Sequence, residues 1–135
     1  MARLLASRIR AANAALLAKG NLDAVGEYFT KTYVVHLTDH DLGGGHAGVR
    51  RFLTTIRGAF SDLHVKVDVF VEDENRVAWQ RTVRATHRSD FMGFPASGRR
   101  ITWRDMFVSR FRGELIAEEW AVSDLAERLL LARKR

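Results

Sequence analysis

The sequence predicts an α+β fold, with helices in the first part of the chain and a meander of antiparallel strands in the second. In the N-terminal part, apolar residues recur at helical spacing. From Val65 onward the period changes to two, as in strands with one buried face. Runs of helices followed by runs of strands are typical of α+β proteins. One curved sheet with the helices on its concave face would bury all the apolar stripes.

The helices are predicted by apolar stripes and by the residues that end them. The first stripe begins at Leu4 and ends near Leu17. Gly20 and Asn21 follow, and they supply a left-handed cap. The other helical segments that the spacing predicts are a short one over Leu22–Phe29, one over Val49–Phe60 closed by Ser61 and Asp62, and a leucine-rich one over Asp124–Arg133.

The strands are predicted by alternation and by the turns that separate them. Four valines from Val65 to Val71 alternate with other side chains, and Glu72–Asn75 then reads as a turn. Arg112–Glu114 is a second turn. The remaining predicted strands are Thr32–Leu37, Val77–His87, Ile101–Phe111 and Leu115–Val122.

The length and composition restrict the class of protein. A chain of 135 residues suits one domain over residues 1–135, and 47% hydrophobic residues are ordinary for a globular protein. The absence of cysteine excludes disulfides and thiolate metal sites, and it favours a cytoplasmic location. No apolar run reaches the roughly 20 residues that cross a bilayer. Arg8 and Arg10 interrupt any signal-peptide core, so we expect a mature helix there.

The positive charge raises the question of nucleic acid. The formal net charge is +6, but the arginines are scattered and acidic residues lie among them. An arginine-rich solvated surface explains this pattern best. An acidic small-molecule ligand is the second interpretation, and nucleic-acid binding is the third.

Asp105 is the first candidate for catalysis. It is the only charged residue on a strand face that also carries Trp103 and Phe107. A desolvated carboxylate becomes a competent general base or acid. One alternative is an internal ion pair with Arg81, and another is surface exposure of Asp105 through a bulge. If the hairpin pairs His87 with Ile101, Arg81 lies diagonal to Asp105 and within reach of it.

His87 and the long connection after it form the second candidate. The stretch ATHRSDFMGFPASGRR carries Phe91, Met92 and Phe94, which a solvent loop does not need. A histidine exchanges protons near neutral pH, so its place beside these residues suggests the rim of a pocket. A hydrogen-bonded histidine that ends the strand is the alternative.

Two further groups of residues have weaker signals. Trp120 can stack on an apolar ligand or fill the core. The Gly-rich loop carries a dense set of nitrogen and oxygen ligands, but its composition argues against a metal site, and we predict none. The residues of this set are His36, Asp39, His40, Asp41 and His46.

Several short motifs along the chain form one pattern. They are Gly45-His46-Ala47-Gly48-Val49, Ala59-Phe60-Ser61-Asp62-Leu63, Thr86-His87, Phe91-Met92-Gly93-Phe94-Pro95-Ala96-Ser97-Gly98-Arg99, Glu118-Glu119-Trp120 and Asp124. Taken together, these motifs resemble the SnoaL-like polyketide cyclase family of the ketosteroid-isomerase-like superfamily. The resemblance covers nearly the whole chain. One difference is that the family often reads Gly-x-Asp in the strand after the loop, where this chain has Asp105-Met106-Phe107.

The resemblance implies a cone-shaped barrel with an internal cavity, whose mouth the aromatic loop would line. It also implies homodimers or higher oligomers formed through the sheet. Cyclases of the family close a polyketide ester by an intramolecular aldol reaction, with an acid/base Asp and without a metal or organic cofactor.

The sequence therefore supports two hypotheses about function. The first is a cofactor-free acid/base enzyme that acts on a small apolar or aromatic carbonyl compound, with Asp105 and His87 as catalytic residues. The second is a non-catalytic module that binds a small molecule or mediates assembly. The residues expected to line the pocket are His36, Phe60, Phe91, Phe94, Trp103 and Trp120.

Overall fold

A six-stranded sheet and four α-helices make up the computed structural model, which describes residues 2–133. A π-helical segment, Asn13–Ala18, extends the first helix, and a 3₁₀ turn, Leu22–Ala24, precedes the second. The helices are α1 Ala2–Ala12, α2 Val25–Tyr28, α3 Gly45–Ala59 and α4 Leu125–Arg133. The strands are β1 Phe29–His36, β2 Asp41–Leu42, β3 Phe60–Glu72, β4 Arg76–His87, β5 Arg100–Arg112 and β6 Leu115–Ser123.

The strand order is β2-β1-β6-β5-β4-β3, which confirms the predicted α+β class with a curved sheet. Two details differ from the prediction. The sheet is mixed, because β1 runs parallel to β6 while all other neighbours are antiparallel. The sheet also stays open, with β2 and β3 at its edges. After α3 the chain forms β3 at the edge of the sheet opposite β2. Three successive antiparallel connections then lead through β4 and β5 to β6, which lies beside β1.

Two predicted helix ends are wrong for identifiable reasons. Phe29 begins β1 instead of ending a helix, and its ring packs edge-on against Tyr33 at 4.7 Å. Ser61 and Asp62 do not close α3, which ends at Ala59. Asp62 instead has φ 55°, and the pairing with β4 shifts register there. The polar pair marks a β-bulge near the start of β3. The left-handed cap at Gly20 is confirmed, with φ 74°.

The register between β4 and β5 determines the position of Arg81 relative to Asp105. Ile101 pairs with Ala85, two positions from the expected partner His87. Arg81 therefore lies directly opposite Asp105 rather than diagonal to it. The ion-pair alternative thus has its two residues in the closest cross-strand relation that a sheet offers.

The core consists of two apolar clusters on the inner face of the sheet, the face that α1 and α3 cover. One cluster lies near His87 and includes Val83, Trp103 and residues of α3 and α4. The other lies near the start of β4 and includes Trp79 and Ile9 of α1. Between them, the inner stripes of β4 and β5 are interrupted at facing positions by Arg81 and Asp105. A polar layer therefore separates the clusters.

Within residues 2–133, none of the helices combines the length and the hydrophobicity that a membrane crossing requires.

Candidate active site

An ion pair forms the first half of the polar layer. Arg81 Nε donates to Asp105 Oδ2 at 2.8 Å, and Arg81 Nη1 donates to Asn13 Oδ1 at 3.1 Å. The side chains of Arg81 and Asp105 are 12% and 8% exposed. Asn13 Nδ2 in turn donates to the carbonyl of Ile9. The guanidinium is therefore fixed from two sides by groups that are themselves held in place.

Glu119 on β6 forms the second half of the layer, and it is buried. The Tyr33 hydroxyl donates to its Oε1 at 2.5 Å, and the Ser109 hydroxyl donates to its Oε2 at 2.5 Å. The indole Nε1 of Trp79 donates to Ser109 Oγ at 2.8 Å. Every polar atom in this set has a partner, as buried networks require.

Burial dominates the electrostatics of this network. Desolvation raises the pKa of Glu119, while the hydrogen bonds from Ser109 and Tyr33 and the charge of Arg81 oppose the rise. Burial also raises the pKa of Tyr33 well above its ordinary value, and the neighbouring Glu119 adds to this. Tyr33 therefore remains a neutral donor, and Glu119 is a carboxyl that holds its proton to higher pH than an exposed glutamate.

Aromatic rings lie beside the polar layer. The rings of Trp79 and Phe107 stack with centroids 4.4 Å apart and an interplanar angle of 8°. The Arg81 guanidinium lies 4.9 Å from the Phe107 centroid, within cation–π range. On the inner face, stacked apolar rings thus lie next to a cation and two carboxyl groups.

The inner face is incompletely covered beside β6. Phe107 pairs with Ala121, and both are only partly buried. Asp105 pairs with Ser123, which is exposed. Because all four residues share the inner face, the polar layer lies beside a part of that face where the burial is partial.

The aromatic residues that the sequence assigned to a pocket lie at the other end of the inner face. Phe60 contacts His87, Phe91 and Trp103, with ring centroids 5.1, 5.5 and 4.9 Å away. All four are buried, and Phe94 packs against the same cluster. The loop that carries Phe91 and Phe94 therefore folds onto the core with its aromatic rings.

His87 is buried beneath this loop, not at a rim. Its side chain is stacked on Phe60, and Ser97 approaches Nδ1 with its Oγ at 3.3 Å. Its Nε2 atom has no hydrogen-bond partner within the described residues. His87 is thus separated from Asp105 by the apolar layer around Trp103 and Val83.

His36 and Trp120 lie on the outer face of the sheet, away from Asp105 and His87. Their rings stack at 5.2 Å, and Trp120 is 41% exposed. His36 Nε2 lies 2.6 Å from Glu118 Oε2, and Nδ1 lies 2.8 Å from Asp41 Oδ1. The hydrogen bond to Glu118, followed by that to Asp41, raises the pKa of His36. These contacts fasten β2 and its loop to the sheet.

The other residues of the histidine-rich set are engaged separately. His46 Nε2 contacts the carbonyl of Phe29 at 2.7 Å, and His40 Nδ1 contacts Asp39 at 2.6 Å. The side chains of His40 and Asp39 are both exposed, and the hydrogen bond from His40 lowers the pKa of Asp39.

An apolar groove of about 410 Å³ lies on the outer face beside His36 and Trp120. Met106, Val108 and Val122 contribute exposed side chains to it, and Phe70 of β3 borders it. We call this surface the outer apolar face.

The sequence interpretation thus placed together residues that the structure separates into three places, and it missed Glu119, Tyr33 and Ser109. The signal for Glu119 was present. On β6 it alternates with Ala117 and Ala121, which marks it as the one acid on an inward-facing stripe of small residues. Its contact with Tyr33 spans 86 positions and required the β1–β6 pairing.

The fold and the inner site define a class of protein: an open curved sheet wrapped over helices, with a polar layer between two apolar clusters. A family model for SnoaL-like polyketide cyclases matches residues 7–130. The chain therefore belongs to the SnoaL-like polyketide cyclase family. None of the curated proteins compared with the sequence matches it.

Several solved structures share this fold. A candidate polyketide cyclase from Acidithiobacillus ferrooxidans is 24% identical, with a TM-score of 0.84 over 97% of this chain and 95% of that one. AclR from Streptomyces galilaeus, a candidate hydroxylase, is also 24% identical, with a TM-score of 0.84 over 100% and 99% of the two chains. IdmH from Streptomyces antibioticus, a candidate polyketide cyclase, is 26% identical, with a TM-score of 0.75 over 97% and 99%.

Proposed function

We propose that this protein is a cofactor-free acid/base enzyme that acts on a flat apolar carbonyl compound, in the manner of a polyketide cyclase. The observation that carries the proposal is Glu119, a buried carboxyl with a raised pKa on the inner face, held by two hydroxyl donors. The family assignment supports the same class of substrate. A location in the cytoplasm belongs to the proposal, on the ground of the cysteine-free sequence.

Glu119 is the better candidate for the base than Asp105. The Oδ2 atom of Asp105 accepts a hydrogen bond from Arg81, so this oxygen is engaged. Glu119 has no such guanidinium bond, and its environment favours the protonated form. A base whose pKa approaches the working pH transfers protons most effectively. His87 lies too deep under the loop to share this role, and we propose it instead as part of the cluster that shapes the inner face.

The reaction starts with removal of a proton from the carbon beside the carbonyl group. The C–H bond breaks, its proton passes to a Glu119 oxygen, and the electron pair forms the enolate. Once Glu119 is protonated, it no longer needs the Tyr33 hydrogen bond. The Tyr33 hydroxyl then becomes available to the enolate oxygen. In a cyclisation, the enolate carbon attacks a second carbonyl of the same molecule, and the proton on Glu119 returns to the alkoxide.

We expect Glu119→Gln to abolish catalysed proton exchange while the protein remains folded. Glutamine keeps the shape and can accept from Tyr33, but it cannot take up a proton. The measurement is deuterium incorporation beside the carbonyl of 2-tetralone in deuterium oxide, followed by proton NMR. The wild-type protein should exchange about 100-fold faster than the variant, the lower range for a positioned acid or base.

Asp105→Asn is the informative comparison, and Glu114→Gln is the control, because Glu114 is an exposed acid in the β5–β6 turn. The control should exchange at the wild-type rate. Equal exchange by the wild type and Glu119→Gln would refute the role of Glu119. Loss of exchange in Asp105→Asn alone would return that role to Asp105.

A non-catalytic binding module is the second candidate. The favouring observation is that Arg81 engages Asp105, the one acid that the sequence placed among large apolar side chains. This candidate predicts that the protein retains a ligand through purification and exchanges no proton in any variant.

We further propose that the protein forms a homodimer through the outer apolar face. Exposed apolar side chains cluster there, and apolar patches of this kind mark interaction sites. The occupant is a second copy, because a two-fold interface needs only one self-complementary surface.

Val122→Arg should convert this dimer to a monomer, since it places a charge opposite Met106 in the centre of the face. Thr102→Arg is the control, because it adds the same side chain to the outer face of β5 beyond the apolar part. The molar mass follows from light scattering. A wild-type monomer at high concentration, or a Val122→Arg dimer, would contradict the proposal.

A further inference from the structure

Arg81 has a hydrogen-bonding capacity that its present contacts do not exhaust. Within residues 2–133, the structure shows one hydrogen bond from Nε, to Asp105, and one from Nη1, to Asn13, and it shows none from Nη2. A guanidinium presents more N–H donors than these, in a planar fork that matches a carboxylate. The side chain is 12% exposed, so Arg81 is not completely enclosed by the core.

The aromatic neighbours of Arg81 favour a flat ligand at the guanidinium. The Phe107 ring lies under the guanidinium, and Trp79 stacks on Phe107. Trp79 is buried, whereas Phe107 and its partner Ala121 on β6 are only partly buried. A planar conjugated skeleton can therefore lie against the Phe107 ring with an oxygen at the guanidinium.

The two acids near Arg81, Asp105 and Glu119, affect whether the guanidinium binds a neutral ester oxygen or a carboxylate. Asp105 accepts from Nε and Asn13 accepts one N–H of Nη1, so the second N–H of Nη1 and those of Nη2 have no partner shown within residues 2–133. The two oxygens of Glu119 accept from the Tyr33 and Ser109 hydroxyls, so these hydroxyls screen its charge from a bound anion. A neutral ester oxygen uses one donor, whereas a carboxylate uses two parallel donors with a charge-assisted bond.

We infer that the inner site takes a flat conjugated carboxylic acid as its ligand, in preference to the corresponding neutral ester or amide, with the carboxylate on the Nη edge of Arg81. This inference rests on the proposed function, because it names the substrate class of the same site. Asp105 and Asn13 then act as positioning residues, which hold the guanidinium in the orientation that the carboxylate requires.

The probes for the test are 2-naphthoate and its neutral isostere 2-naphthamide, titrated into the protein by calorimetry at neutral pH. We expect the wild type to bind 2-naphthoate at least about tenfold more tightly, the factor that one charge-assisted hydrogen bond supplies. Arg84→Gln is the matched control. Arg84 is an exposed arginine on the outer face of the same strand, so the variant removes the same charge without touching the site.

The decisive variant is the double substitution Arg81→Gln with Asp105→Asn, which removes the ion pair without leaving a buried charge. It should lose the preference for 2-naphthoate, because the glutamine amide offers a neutral N–H donor to either probe but no charged fork. Arg81→Lys decides the matter if the double variant does not fold. Lysine keeps the charge but not the fork, and it should weaken 2-naphthoate binding alone.

Equal wild-type affinity for the two probes would overturn the inference, and so would an undiminished preference in the double variant or in Arg81→Lys. These failures are distinct from failure of the proposed function. A protein that exchanges 2-tetralone protons through Glu119 but binds both probes equally refutes only the carboxylate preference. A protein that prefers 2-naphthoate but exchanges no proton refutes only the catalytic proposal.

Discussion

Arg81→Met should lower the free energy of unfolding by about 3–5 kcal/mol, the range observed when one partner of a buried ion pair is removed. The substitution leaves the Asp105 carboxylate, 8% exposed, without its guanidinium in the middle of the core. It also removes the hydrogen bond to Asn13. The measurement is denaturant unfolding at one fixed protein concentration, so that any self-association is constant across variants.

Two further variants identify the cause of that loss. The double variant Arg81→Met with Asp105→Leu should recover most of the stability, since an apolar pair of similar volume replaces a buried ion pair at little cost. Arg110→Met breaks a surface pair with Glu118, whose side chains are 38% and 23% exposed, and it should cost at most about 1 kcal/mol. A double variant as unstable as Arg81→Met would show that the cost arises from packing, not from an unpaired charge.

Gly45→Ala is expected to have the second large effect, a loss of about 2–4 kcal/mol of stability. Gly45 begins α3 with φ 53°, a conformation that side chains other than glycine rarely adopt. A Cβ at this position would lie 2.1 Å from the backbone carbonyl oxygen of Lys31. Because that oxygen belongs to the backbone of β1, α3 and β1 would have to separate.

Gly43→Ala is the matched control in the same loop. A Cβ at Gly43 meets nothing within 4 Å, so its unfolding free energy should change by no more than about 0.5 kcal/mol. Thermal or denaturant unfolding of the two alanine variants measures the difference. If both variants were equally stable, the close approach of α3 to β1 would not be a constraint on this fold.

The sequence patterns predicted the elements well because both periods are strong. The alternation of residues in β4 and β5 correctly predicts which side chains are buried on the inner face, and Asp105 is one of them. The parallel pairing of β1 with β6 was not predictable in this way. Period and turn residues describe neighbours in sequence, whereas this pairing joins the start of the sheet to its last strand.

The candidate site shows the same division. Arg81 was identified as a possible partner of Asp105, because the two lie on strands joined by one connection. Glu119 was missed because its partners come from β1 and β5, so its network exists only after the sheet is assembled. His36 and Trp120 were assigned to the pocket by residue type, and their place on the outer face follows from a strand register that the residue type does not encode.

The central claim is that Glu119 holds a proton on the inner face at a pH where ordinary glutamates have lost theirs. The most direct measurement is an infrared titration of the carboxyl band, taken as the difference between wild type and Glu119→Gln. We predict a neutral carboxyl signal that persists above pH 4.3, about the value of an unperturbed glutamate, and then disappears as the pH rises further. A signal lost at or below that value would mean that Glu119 is an ordinary charged carboxylate, and the account of the site would fail.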